Sequence, residues 1–337
     1  MPSIAERIFL ADGRLRPAWR FFLSLPGVFV ALSAAQIALE MVPQSLKSRI
    51  TPTQTFFLQS LLLLLALLGV FKILTTFLDR RALRSVGLAF HSCWGRELGL
   101  GIVIGAAIIL AVAALERVLR LAHFGVNSLS PTQAVSAGAF YAVTLAIAAT
   151  IEELIFRGYP FQRLVEAITP AGGIAVTSVL FGLAHLGNAH HTWFSTVNTA
   201  LVGIPLAIAY LRTRSLWMPV GIHFSWNFVL GFVIGLPVSG FALPESLLKG
   251  QVQGAAWITG AAYGPEGGAL ATFVILGATI YLLLSKRLFV SEEMRKLMAE
   301  PVTAAQLPTI TEGTAPATQP GEAGSRGPAP EGTDRRS

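Results

Sequence analysis

Charged residues are scarce in this sequence: Asp, Glu, Lys and Arg make up 13% of its 337 residues, against 53% hydrophobic residues and a mean hydropathy of +0.63. That balance lies outside the composition of soluble globular domains and predicts a membrane protein. Cysteine is nearly absent. The single Cys93 excludes an intrachain disulfide framework and a thiolate metal cluster, and between Ser92 and Trp94 in a polar loop it reads as structural. The sequence has no ten-residue segments of alternating hydrophobicity, which a transmembrane barrel would need. It also has no internal repeat and no His-Glu-x-x-His pair. The net charge of +7 and the pI near 10 would suit nucleic acid, but the basic residues are scattered between apolar runs, which argues against such a partner.

What the sequence does have is long apolar runs. Several reach the roughly 20 residues that a helix needs to cross the hydrocarbon core. They predict an all-α, polytopic transmembrane helical bundle of about eight spans. Span one is Trp19 to Met41. Small residues follow its apolar centre in the manner of a signal peptide, but its length favours a retained anchor. Span two is Gln54 to Phe77, with Lys72 snorkelling near its end. Span three is Leu98 to Leu115, whose Gly99, Gly101 and Gly105 suit close helix packing. Spans five to eight are expected at Ala171 to Leu186, Phe194 to Leu211, Leu216 to Leu236 and Gly268 to Leu284.

The expected organisation is a cytoplasmic basic lead over 1–18, spans one to three over 19–133, and a core carrying polar motifs over 134–236. A segment over 237–300 follows, with a Gly- and Pro-bearing loop, the last span and a short amphipathic stretch. The tail, 301–337, is rich in Pro, Gly, Ala and Thr, a composition that predicts disorder. Lys and Arg concentrate in the lead, in the loops after spans two, four and six, and in the segment ending at Lys296. The opposite loops hold only Lys47, Arg49, Arg117, Arg120 and Lys249. By the positive-inside rule both termini are expected on the cytoplasmic side.

Into this apolar background span four brings Glu152, Glu153 and Arg157, directly after the run Ala142 to Ile151. Ionisable groups at membrane depth are costly, so their presence is by default a functional-site hypothesis. A span ending at Glu153 would leave the glutamates at the surface, about 20 Å from His185 at 1.5 Å per residue. However, Phe161, Leu164, Val165 and Ile168 recur at helical spacing, which predicts one helix from about Ala134 to Ile168, with Pro160 removing one hydrogen bond. Glu152 then sits about 24 Å from the cytoplasmic end, at the depth of His185.

Glu153 and Arg157 are four apart and share a helix face, the order favourable for an ion pair, while Glu152 faces elsewhere. His223 and Asn227 are likewise four apart on span seven, and Phe181 stands four before His185 on span five. Glutamates, histidines and a carboxamide are the groups that water activation and oxyanion stabilisation use. Taken singly, a Glu-x-x-x-Arg pair is more often a solvated salt bridge, and a membrane histidine is more often a packing residue. Three such features on successive polar-bearing spans in so uncharged a chain favour chemistry. His190 and His191 read as surface residues, His91 and His123 as loop residues without sequence partners, and Asn188 and Asn198 as structural.

Glu152-Glu153-x-x-x-Arg157, Phe181-x-x-x-His185 and His223-x-x-x-Asn227, in this order, resemble the signature of the CAAX protease and bacteriocin-processing (CPBP, Abi) family. Ser85-Val86-Gly87-Leu88 resembles a segment that family members carry before the core. The resemblance implies an intramembrane endopeptidase of the CAAX prenyl protease kind, in which Glu152 and His185 activate water. His223 and Asn227 would support the oxyanion, and Glu153 with Arg157 would position the group. It also implies a peptide or membrane-protein substrate within the lipid bilayer, or resistance to bacteriocins, for a multi-pass protein of a bacterial cytoplasmic membrane. The family has been described as metalloproteases, and Glu152, His185 and His223 are chemically competent zinc ligands, but a metal-free glutamate mechanism uses the same residues. Two other readings of the cluster stand beside it: a proton- or cation-coupled transporter and a non-catalytic membrane scaffold. No related halves, common in transporters, are present in the sequence.

Overall fold

The structure, a computed structural model, describes residues 8–11 and 14–299; the lead is therefore covered in part, and the tail expected to be disordered lies outside the described residues. After a short hairpin (β1, Leu10–Ala11; β2, Arg14–Leu15) come α1 (Pro17–Glu40), α2 (Pro52–Phe77) and α3 (Trp94–Val118). Then follow α4 (Pro131–Phe156), α5 (Tyr159–Ala167), α6 (Pro170–Ala184), α7 (Trp193–Thr213) and α8 (Trp217–Phe228), the last prolonged by a π-helical turn over Val229–Ile234. The described chain ends with α9 (Ala269–Leu284) and α10 (Glu292–Ala299). The protein is thus an all-α polytopic bundle. Among the described residues six helical stretches are long and apolar enough to cross a membrane, and α6 and α9 are shorter apolar helices. The outward faces carry exposed Phe22, Phe29, Leu65, Phe273 and Leu284, as lipid-facing helices do.

Local chemistry sets the helix starts. The Thr51 and Ser130 hydroxyls accept the backbone N–H of Gln54 and Gln133, whose side chains reach back to the cap, and Pro52 and Pro131 occupy the first helical position. The Thr169 and Thr192 hydroxyls likewise accept the backbone N–H of Gly172 and Ser195 at the starts of α6 and α7.

The continuous helix expected from Ala134 to Ile168 is not formed. α4 stops at Phe156, and α5 begins at Tyr159. Pro160 has no N–H to offer the Phe156 carbonyl, so the ladder ends one turn before it. Gly158 makes the corner, where a Cβ would come within 2.3 Å of the Leu154 carbonyl oxygen. The apolar spacing at Phe161, Leu164 and Val165 belongs to α5 itself, which packs on α1 and α6. The chain therefore leaves Glu152 along α5, turns at Thr169-Pro170 and returns along α6, ending at His185. The glutamates and His185 still meet, by a hairpin rather than along one long helix.

Two other expectations need correction. The segment between spans seven and eight is more than a loop: it holds β4 (Leu248–Val252), antiparallel to β3 (Ala122–Val126), and short helical turns at Ala261–Tyr263 and Pro265–Gly267. His91 is buried and partnered. Its Nε2 lies 3.2 Å from a Glu97 carboxylate oxygen, and its Nδ1 lies 3.1 Å from the Ser291 hydroxyl, 200 positions away. Unforeseen from the sequence is a buried ionic cluster in which Asp79 receives Arg20 of α1 and Arg163 of α5, fastening both helices to the turn after α2.

Close contact between α3 and α8 places the histidine-bearing helix. A Cβ on Gly105 would fall 2.1 Å from the Ile222 carbonyl oxygen, and one on Gly101 would fall 2.4 Å from that of Met218. Gly99, expected to pack likewise, meets nothing within 4 Å. Gly105→Val is therefore expected to destabilise the protein by about 1–3 kcal/mol or more through overpacking. Gly99→Val should leave the melting temperature within a degree or two, by the small effect typical of surface changes. Thermal melts of the two detergent-solubilised variants check this pair.

Candidate active site

Glu152 and Glu153, adjacent near the end of α4, point in different directions and acquire different partners. Glu153 is fully buried. One of its carboxylate oxygens accepts from Arg157 Nη1 at 3.0 Å and from His223 Nδ1 at 2.8 Å. Arg157, equally buried, also donates to the Gly203 carbonyl at 3.1 Å, and its guanidinium lies 4.6 Å from the centre of the Phe181 ring. The sequence-expected pair is thus a buried structural clamp joining α4, α7 and α8. Glu152 has a third of its side chain accessible, and its Oε2 lies 3.8 Å from both His185 Nε2 and His223 Nε2.

Hydrogen-bond partners fix the imidazoles. The Phe181 carbonyl is acceptor only, so His185 Nδ1 carries the hydrogen of their 2.7 Å bond. By the same reasoning His223 Nδ1 donates to the Glu153 carboxylate. Both rings consequently turn Nε2 toward Glu152. Separations of 3.8 Å exceed a direct hydrogen bond but suit a bridge through one water oxygen. Phe181 stands beside both rings, 4.7 Å from the His185 centroid and 6.1 Å from that of His223.

Behind the histidines lies a cavity of about 40 Å³, lined on one side by Phe181, His185, His223 and Asn227. A cavity needs at least about 10–15 Å³ to hold a water, so this one has room for at least one. Glu152 is not among the lining residues but lies 3.8 Å from the Nε2 atoms of two residues that are, His185 and His223. Asn227 follows His223 by one helical turn, and its carboxamide makes no hydrogen bond among the described residues.

The far wall was not foreseen from the sequence. It includes Ser239 and Glu266 from the segment between spans seven and eight. One Glu266 oxygen accepts the Ser239 N–H and hydroxyl, and the other accepts Trp226 Nε1 at 2.6 Å. Asn198 Nδ2 donates to the Glu266 and Gly268 carbonyls, and Tyr263 meets Thr199 through their hydroxyls at 3.1 Å. Burial, with Glu266 beside it, raises the Tyr263 phenol above its ordinary pKa. Of the remaining histidines, His190 and His191 are exposed, and the His123 ring lies 3.3 Å from the Gln253 carboxamide.

Glu152, His185 and His223 come together, but among the described residues no group of three or more His, Cys, Asp or Glu is placed to hold a metal ion. Glu153 is already committed to Arg157 and His223. The residues therefore do not present a formed zinc set, and no step is derived through one.

Compared with known proteins, residues 134–229 match the family model described as type II CAAX prenyl endopeptidase Rce1-like. No curated protein and no solved structure matches the chain. The matched segment begins in the first turn of α4, ends just after Asn227 and contains all three motifs, so over this part the chain is similar to the type II CAAX prenyl endopeptidases whose signature those motifs resemble.

Proposed function

We propose that the protein is an intramembrane endopeptidase that hydrolyses a peptide bond with a water activated by Glu152 and His185. Support comes from the family match over the motif-bearing segment and, most directly, from one geometric fact. A single Glu152 oxygen faces, at one-water distance, the Nε2 atoms of two histidines that line a cavity among apolar helices.

In this scheme Glu152 removes the proton of a water placed between it and His185, and the hydroxide adds to the scissile carbonyl. His223, protonated on both nitrogens and braced by Glu153, donates from Nε2 to the oxyanion, with the Asn227 carboxamide as second donor. The C–N bond then breaks as the proton held by Glu152 passes to the leaving amine. Glu153 and Arg157 take no proton; they fix the direction of His223. The substrate class is a peptide or membrane protein reaching the site from the bilayer, and the charge bias of the loops supports a cytoplasmic position for both termini.

Full-length protein reconstituted in vesicles with a membrane-peptide library tests this reading. Cleavage that disappears in His185→Ala, with the protein still folded, is expected. The metal-free scheme further predicts that a strong chelator leaves the rate unchanged. Proton or cation flux through sealed vesicles without any cleavage would contradict the proposal and favour transport.

A further inference from the structure

The far wall of the cavity carries an acidic side chain that the hydrolytic scheme does not use. Glu266 is 8% exposed, and among the described residues no Lys, Arg or His lies within ion-pair distance of it. A carboxylate has about four acceptor positions. Three are filled, two on one oxygen by the Ser239 N–H and hydroxyl and one on the other by the Trp226 indole. The remaining position belongs to the oxygen bound to Trp226, in a residue that lines the same cavity as His185, His223 and Asn227.

We infer that Glu266 makes this cavity a seat for an ammonium group. A charged donor suits it better than a neutral one, because hydrogen bonds between ionic partners are roughly twice as strong as neutral ones. A buried carboxylate also lacks compensation until a cation joins it. The cavity has room for the tip of a primary amine. The surrounding backbone is held in place: Asn198 donates to the carbonyls of Glu266 and Gly268, and Ser239 is tied to the loop carrying Asn188 through a 3.0 Å hydrogen bond. Two sources supply such a group, a lysine side chain of a substrate or the new N-terminus released by peptide hydrolysis. The lysine source needs no cleavage, whereas the second rests on the endopeptidase reading.

The Trp226 indole N–H reports on the seat directly. In full-length protein labelled with ¹⁵N-tryptophan, the signal absent from Trp226→Phe is followed during addition of methylammonium chloride. Tetramethylammonium chloride, which has no N–H to donate, serves as the control at equal ionic strength. A saturable shift with methylammonium alone is expected, at least 10-fold weaker in Glu266→Gln and retained in Glu266→Asp. Identical responses to both cations, or an unchanged titration in Glu266→Gln, would overturn the inference. Two peptides then separate the sources, one with an acetylated N-terminus and a lysine, the other lysine-free with a free N-terminus. Displacement of methylammonium by the first assigns the seat to a side chain, and by the second to a released N-terminus; displacement by neither would overturn its role in substrate binding. Because none of these readouts requires cleavage, failure of the seat and failure of the endopeptidase reading are distinguishable.

Discussion

Glu152→Gln is expected to lower peptide cleavage by two to four orders of magnitude, the range that a positioned acid-base group contributes, while the melting temperature stays close to that of the parent protein. The reason lies in its surroundings. The side chain is about one-third accessible, and its inward oxygen faces the histidines without a direct hydrogen bond, so an amide of the same shape removes proton transfer and little packing. Glutamine cannot take a proton from water at neutral pH, whatever its geometry. Rate measurements and thermal melts on the same preparation check both halves. A variant that melts normally and cleaves at the parent rate would remove Glu152 from the chemistry.

Arg157→Ala should do the reverse, acting first on stability. Both members of the Arg157–Glu153 pair are fully buried, and removal of the arginine leaves Glu153 in the interior with His223 as its remaining partner. Breaking a buried pair from one side costs about 3–5 kcal/mol. For a chain of this size that corresponds to a fall in melting temperature on the order of 10 °C. The Gly203 carbonyl also loses its donor, and the Phe181 ring loses the cation 4.6 Å from its centre. Arg157→Lys keeps the charge but not the planar fork, so it should recover only part of the loss. Melts of the two variants, with folded yield from membranes, provide the measurement; an Arg157→Ala protein as stable as its parent would contradict the clamp.

The contrast between these neighbouring glutamates was legible in the sequence because spacing alone carried it. Glu153 and Arg157 are four apart, and Glu152 must face about 100° away. The apolar runs were equally legible, since a helix crossing lipid announces itself by length. The break after Phe156 was less so, although its cause, Pro160, stood in plain view. The helical spacing of Phe161, Leu164 and Val165 is the same whether α5 continues α4 or starts afresh, so periodicity could not separate the two. Glu266 left no local signal, because its partners Ser239 and Trp226 lie 27 and 40 positions away and become its partners only when the segment between spans seven and eight folds over the cavity. The contact of His91 with Ser291 was missed for the same reason, since it bridges 200 positions.

The central claim is that a water held between Glu152 and His185 cuts peptide bonds inside the membrane. Its most direct test compares protein termini and released peptides, by mass spectrometry, in membranes from cells carrying the parent protein and cells carrying Glu152→Gln at equal expression. Termini that appear with the parent and vanish with the variant, while their uncut precursors accumulate, are the predicted result. Identical sets of termini in the two membranes, with both proteins folded and present, would contradict it.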